Sequence, residues 1–293
     1  MVNAGKTPDK ITDFAVVNGT TLYYEMQGTG IAVVLIAGST GDAGNFTRAA
    51  DLLADEFTVV TYDRRGNSRS PRPAGWTTTS VAEQADDAAA LIDALGLAPA
   101  VVFGASAGGL IALDLMIRRP EVVRAGVVQE PSLFSLLPDP MTALAPRRAL
   151  LEDALRTRGP RAAIEALMRY LNDDAVFAAI PDETLARMLD NADTILTIEA
   201  PGFARWQPKA EDLTSLTVPI ALMFANESLP VYKDVTHALA ELLKADVVIV
   251  PGRHGFYFYR PQDLADALRR IVQSLLQRRL EGLRPNGRGA LAC

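Results

Sequence analysis

Cysteine and histidine are scarce in this sequence: one Cys and two His occur in 293 residues. Cys293, at the C-terminal end, has no partner for an internal disulfide, so a reducing, cytoplasmic location is expected. So few Cys and His residues exclude a Cys-rich zinc centre and argue against a His-based one, and no metal or other cofactor is expected. Long apolar runs are missing too. The longest, residues 31–37, falls far short of the roughly 20 residues that a membrane helix needs. Residues 1–6 hold no apolar stretch after their charge, so no secretory signal is expected. A basic excess is also absent. Lys and Arg number 29 against 35 Asp and Glu, and the net charge of -6 is spread along the chain. Neither nucleic acid nor membrane is therefore an expected partner.

What is present suits a packed globular protein: 49% of residues are hydrophobic and 22% charged. Short β-branched segments alternate with helical patterns through the first half. TLYYE (21–25), VVLI (33–36), FTVVTY (57–62), AVVF (100–103) and AGVV (125–128) read as strands. The last four are near-continuous apolar runs, as expected of strands buried on both faces of a parallel sheet. Residues 80–95 carry apolar side chains at helical spacing, and Ser80 with Glu83 predicts a capping box. This alternation predicts a doubly wound α/β sheet.

The rhythm changes after Glu130. Residues 146–156, 160–171 and 181–192 read as helices with no strand among them, before IALMF (220–224), DVVIV (246–250) and a last helix from Pro261. A core of residues 1–135 and 214–280, a helical cap at 136–213 and a C-terminal tail at 281–293 are expected.

Residues 101–113, VVFGASAGGLIAL, carry the chemistry: a buried strand, then G-x-S-x-G, then an apolar helix. A serine on so sharp a turn needs tiny neighbours, and Gly104, Ala105, Ala107, Gly108 and Gly109 meet that need. The turn lifts the Ser106 hydroxyl above the sheet edge and leaves the Ala107 N–H at a helix N-terminus, where a developing oxyanion is favoured. The competing reading is a dinucleotide loop with Glu130 as the ribose-binding acid. Ser106 replaces the glycine that such a loop needs, and the motif comes late in the strand order, so nicotinamide binding is not expected.

A serine nucleophile needs a base. His237 sits within a helical pattern and reads as a surface or packing residue. His254 lies in a glycine-flanked loop after the last strand, where an imidazole can drop onto a nucleophile from a central strand. Two acids remain open for orienting it. Glu130 ends the strand after the nucleophile helix, and Glu227 follows the next one. Glu130 is favoured, because Pro131 fixes the chain after it and a carboxylate ending a buried strand needs a partner. Residues 36–41, IAGSTG, offer the Ser39 N–H as a second oxyanion donor beside Gly38, which is an expected substrate contact. In the cap, Met141, Leu144, Met168, Phe177, Met188, Phe203 and Trp206 are available to line an apolar substrate pocket, with Trp206 and Phe203 the preferred contacts.

Taken together, Gly38-Ser39, the DRRGNSRS turn at 63–70, GASAGG at 104–109 and PGRH at 251–254 resemble the α/β-hydrolase family over nearly the whole chain. The resemblance implies a mostly parallel eight-stranded sheet, a helical cap after strand six, and the DRRG turn as scaffold. The family's usual acid is an Asp after the penultimate strand, where this chain has Ala225-Asn226-Glu227-Ser228. Gln129-Glu130-Pro131 is similar instead to a subset with a Ser–Glu–His triad, which includes lactonases acting on zearalenone. An apolar ester or lactone is the substrate class so implied. Relatives with this triad also cleave C–C bonds or halogenate with peroxide, and some hydrolase folds act as non-catalytic ligand receptors.

Overall fold

The computed structural model describes residues 10 to 282. The expected tail from residue 283 onward, with Cys293, lies outside the described residues, and the last helix, Pro261–Gly282, takes up the first two tail positions.

Eight strands form one sheet: β1 (Ile11–Val17), β2 (Thr20–Gln27), β3 (Ile31–Ile36), β4 (Phe57–Tyr62), β5 (Ala100–Ala105), β6 (Val123–Gln129), β7 (Ile220–Ala225) and β8 (Asp246–Val250). Their spatial order is β1-β2-β4-β3-β5-β6-β7-β8. β1 pairs antiparallel with β2, and β2 with β4, while every other pairing is parallel. β1 is the strand that the residue pattern did not reveal. Its side chains are mostly exposed, with Phe14 at 52% and Val16 at 83%, so no continuous apolar run marks it. It joins β2 through Asn18-Gly19, both at positive φ (46° and 71°), the backbone that a two-residue hairpin requires.

The inner strands β3 to β7 are mostly apolar because both faces are covered. Along β3, Val33 and Leu35 pack into one core and Val34 and Ile36 into the other. On β5, Val101 and Phe103 are separated from Val102 in the same way. The helices Val81–Ala94 and Ala107–Arg118 cover one face, and Pro261–Gly282 packs against the other. Burying each such side chain contributes roughly 1.5–3 kcal/mol. The capping box is only half formed. The Ser80 hydroxyl accepts from the Glu83 N–H at 3.0 Å, but the Glu83 carboxylate accepts from Trp76 Nε1 (3.1 Å) and Thr79 Oγ1 (2.7 Å).

From β3 the chain moves to β4 on one side and returns to β5 on the other. The crevice opened by this reversal lies beyond the carboxyl ends of β3 and β5, where Gly38 and Ser106 follow. Between β6 and β7 the chain is helical, including Ala145–Arg158, Pro160–Leu171, Asp182–Asp190 and a π-helical turn at Thr194–Glu199.

Candidate active site

Ser106 joins β5 to the helix Ala107–Arg118 with φ 54° and ψ -117°, a strained backbone for a residue with a side chain. Surrounding contacts impose it. A Cβ at Gly104 would stand 2.4 Å from the Gly108 carbonyl oxygen, and one at Gly108 would stand 2.4 Å from that of Ile36. Only glycines allow the helix to come this close to β5 and β3. The Ser106 N–H donates to the Gln129 carbonyl at 2.8 Å, and its hydroxyl shares a 3.1 Å hydrogen bond with that of Ser132.

Glu130 also has positive φ (44°) and is fully buried. Its Oε1 accepts from the Ala225 N–H at 2.7 Å, and its Oε2 contacts His254 Nδ1. The His254 carbonyl accepts from Gln129 Nε2 at 3.1 Å, so the residues on either side of the β6 terminus hold both ends of the histidine. Tyr232 lays its ring 4.5 Å from the imidazole, and burial pushes its phenol pKa upward, with the nearby Glu130 charge adding to the shift. The phenol therefore stays neutral.

Glu227 lies elsewhere. Its side chain is exposed, and its backbone N–H donates to the Gly252 carbonyl at 2.8 Å. Neighbouring Asn226 accepts from the Gly252 N–H through Oδ1 at 3.0 Å, so this turn braces the loop that leads to His254. His237 is exposed on the helix Pro230–Leu243, edge-on to Phe224.

Gly38 faces Ser106 directly, since a Cβ there would stand 3.1 Å from the Ser106 Cβ. Buried Arg64 controls the orientation of this loop. Its guanidinium donates to the carbonyls of Ala37 (2.9 Å), Gly38 (2.5 Å) and Ser39 (3.0 Å). With those oxygens held from one side, the loop is fixed opposite the N-terminus of the helix that starts at Ala107. Arg64 is in turn paired with Glu199 at 2.8 Å, and both side chains are 1% exposed. Asn67 (2.8 Å) and Gln84 (3.0 Å) also donate to that carboxylate. The DRRG turn thus does more than stitch itself together. Asp63 does serve the turn locally, accepting from the Arg69 backbone and side chain and from the Ala43 N–H.

Glu199→Leu is expected to destabilise the fold by about 3–5 kcal/mol, because it leaves the Arg64 charge buried without a partner. Urea unfolding checks this. Loss below about 1 kcal/mol would mean that the pair behaves like an exposed one.

A cavity of about 580 Å3, its opening to solvent included, joins these parts. Gly38, Ser39, Ser106, Ser132, Tyr232 and His254 line its base, and Leu167, Met168, Leu171, Val176, Ile180 and Met188 its apolar wall. Two of the expected contacts lie outside it. Phe203 is buried in the core that the helix Ala107–Arg118 shares, and the Trp206 indole donates to Asp114 of that helix at 2.9 Å. Both aromatics anchor the helical segment to the core, because the only polar group of Trp206 finds its partner there. Met141 is exposed, Leu144 and Phe177 are partly buried outside the lining, and Met168 and Met188 do line the cavity. The sequence reading missed Ser132, Tyr232 and Arg147 in the cavity wall, although Ser132 adjoins the motif around Glu130.

Comparison with known proteins is consistent with this arrangement. Residues 31–171 match the family model described as alpha/beta hydrolase fold. The chain is 32% identical over 263 residues to the uncharacterized hydrolase YraK of Bacillus subtilis, covering 88% of this chain and 94% of that one. Among solved structures, an esterase from Thermogutta terrifontis superposes with a TM-score of 0.73 at 22% identity, covering 91% of this chain and 99% of that one. The enol-lactonase from Burkholderia xenovorans superposes with a TM-score of 0.70 at 20% identity, covering 89% and 100%.

Proposed function

The chain belongs to the α/β-hydrolase fold family, and from that membership we propose that it is a serine hydrolase cleaving a carboxylic ester or lactone. Ser106 is the nucleophile, His254 the general base and Glu130 the acid that orients it. The observation that carries this reading is the contact of Glu130 Oε2 with His254 Nδ1, on a histidine that shares one cavity with Ser106.

With Nδ1 engaged by the carboxylate, Nε2 is the nitrogen left to accept a proton. In the resting molecule the Ser106 hydroxyl is shared with Ser132. To attack, it turns its proton toward Nε2, and Oγ adds to the substrate carbonyl carbon. The oxyanion is received by the N–H groups of Ala107, at the helix N-terminus, and Ser39, on the loop that Arg64 holds. His254 then protonates the leaving alkoxide, and a water deprotonated by the same nitrogen releases the acyl group from Ser106. Side chains and water account for every bond change. The esterase and lactonase names of the structural neighbours agree with this substrate class.

Labelling with a fluorophosphonate tests the reading. Stoichiometric phosphonylation located at Ser106 by peptide mass spectrometry, and absent from Ser106→Ala, is the expected result. A wild-type protein inert to the reagent would sink it.

A further inference from the structure

Twenty residues surround the cavity, and Arg147 alone among them carries a fixed charge. It comes from the helix Ala145–Arg158, half-exposed at the rim. Most arginines in this protein meet carboxylates; among the described residues, Arg147 forms no ion pair. Its contact within the molecule is with an aromatic face: the guanidinium lies 5.4 Å from the centroid of Phe134. Phe134 meets Tyr232 edge-on at 5.4 Å, and Tyr232 covers the imidazole of His254. A series of ring contacts therefore links the imidazole at the base of the cavity to this cation, by way of Phe134, which is not itself part of the lining. The remaining lining is neutral: apolar side chains such as Leu167, Met168 and Ile180 stand with Asn45 and Asn172, and no Asp or Glu lines the space.

We infer that Arg147 receives an anionic group of the substrate. The substrate class this implies is an ester or lactone with a carboxylate at the far end of a short aliphatic spacer. The spacer packs among Tyr232, Leu167, Met168 and Ile180, while the carboxylate meets the guanidinium fork, whose planar geometry suits bidentate binding. A cation with no internal counter-ion attracts an anion more strongly than one neutralised by its own protein would. The inference rests on the proposed hydrolase reading, since it takes the reacting carbonyl to lie at Ser106.

A matched pair of esters tests it: 4-nitrophenyl pentanoate and mono-4-nitrophenyl adipate, which differ only by a terminal carboxylate. With spontaneous hydrolysis subtracted, the wild type is expected to favour the adipate ester in kcat/KM. Arg147→Gln should lower that preference about 10- to 100-fold, the range for one charge-assisted contact, with partial recovery in Arg147→Lys and a further fall in Arg147→Glu. A ratio that is the same in the wild type and Arg147→Gln overturns the inference, as does a wild type that prefers the neutral ester. Fluorophosphonate labelling in parallel separates the two levels. Absence of Ser106 labelling removes the hydrolase reading itself. If Ser106 labels but neither ester is turned over, protection by monomethyl adipate against dimethyl adipate decides. Equal protection by the two, or none by either, overturns the role of Arg147, whereas protection by the monoester alone that is lost in Arg147→Gln supports it.

Discussion

Ser106→Ala is expected to lower kcat for ester hydrolysis by about 10^5- to 10^6-fold, the scale on which a serine nucleophile acts together with its base. The fold should hardly notice. Alanine is nearly the same size, and the hydrogen bond lost to Ser132 costs about 1 kcal/mol. His254→Ala is expected to fall to a similar floor, and the double variant no lower, because base and nucleophile perform one step between them. Steady-state kinetics on an activated ester, with unfolding curves on the same samples, measure both quantities. A Ser106→Ala protein that retains a tenth of the activity would place the nucleophile elsewhere.

The second large effect separates the two acids that the sequence left open. Glu130→Gln is expected to lower kcat by about 10^4-fold, as when a triad carboxylate becomes an amide and the imidazole takes the wrong tautomer. The substitution keeps an oxygen for the Ala225 N–H while removing the charge that would balance an imidazolium. Glu227→Gln should fall within the range of ordinary surface changes, about 0.5 kcal/mol, because its carboxylate is exposed and only its backbone braces the His254 loop. Side-by-side kcat values decide. A larger loss in Glu227→Gln than in Glu130→Gln would reverse the assignment.

The parts of the molecule that local pattern could reveal are those whose signal lies within a few consecutive residues. β3 to β6 announce themselves because burial on two faces leaves few polar positions along them. The Ser106 turn does so because its backbone tolerates only Gly and Ala nearby. β1 was hidden by its exposed face, although Asn18-Gly19 is a hairpin signal in its own right. Residues that become neighbours through topology were the hardest to find. Nothing near Arg147 in sequence tells of a cavity wall, and nothing near Tyr232 tells of an imidazole. Trp206 misled for the opposite reason. A large aromatic in a helical segment suggests a ligand contact, but its indole N–H had a buried-side acceptor in Asp114, and satisfying that donor set its position. Arg64 read as scaffold, and its reach to three successive carbonyls 25 to 27 residues earlier became visible only with the fold.

The pairing of Arg64 with Glu199 bears on how such a protein can diversify. The helical segment is where the chain can acquire new specificities, since it supplies most of the cavity's aliphatic wall. It is not a freely exchangeable module, however. A recombinant that received a foreign segment without an acid at the position of Glu199 would keep a buried guanidinium with no counter-charge next to the Gly38-Ser39 loop. Its new pocket would open onto a loop whose Arg64 anchor carries an unbalanced charge. Segment exchange in this scaffold therefore has to carry Glu199 with it, or remove the charge of Arg64 at the same time.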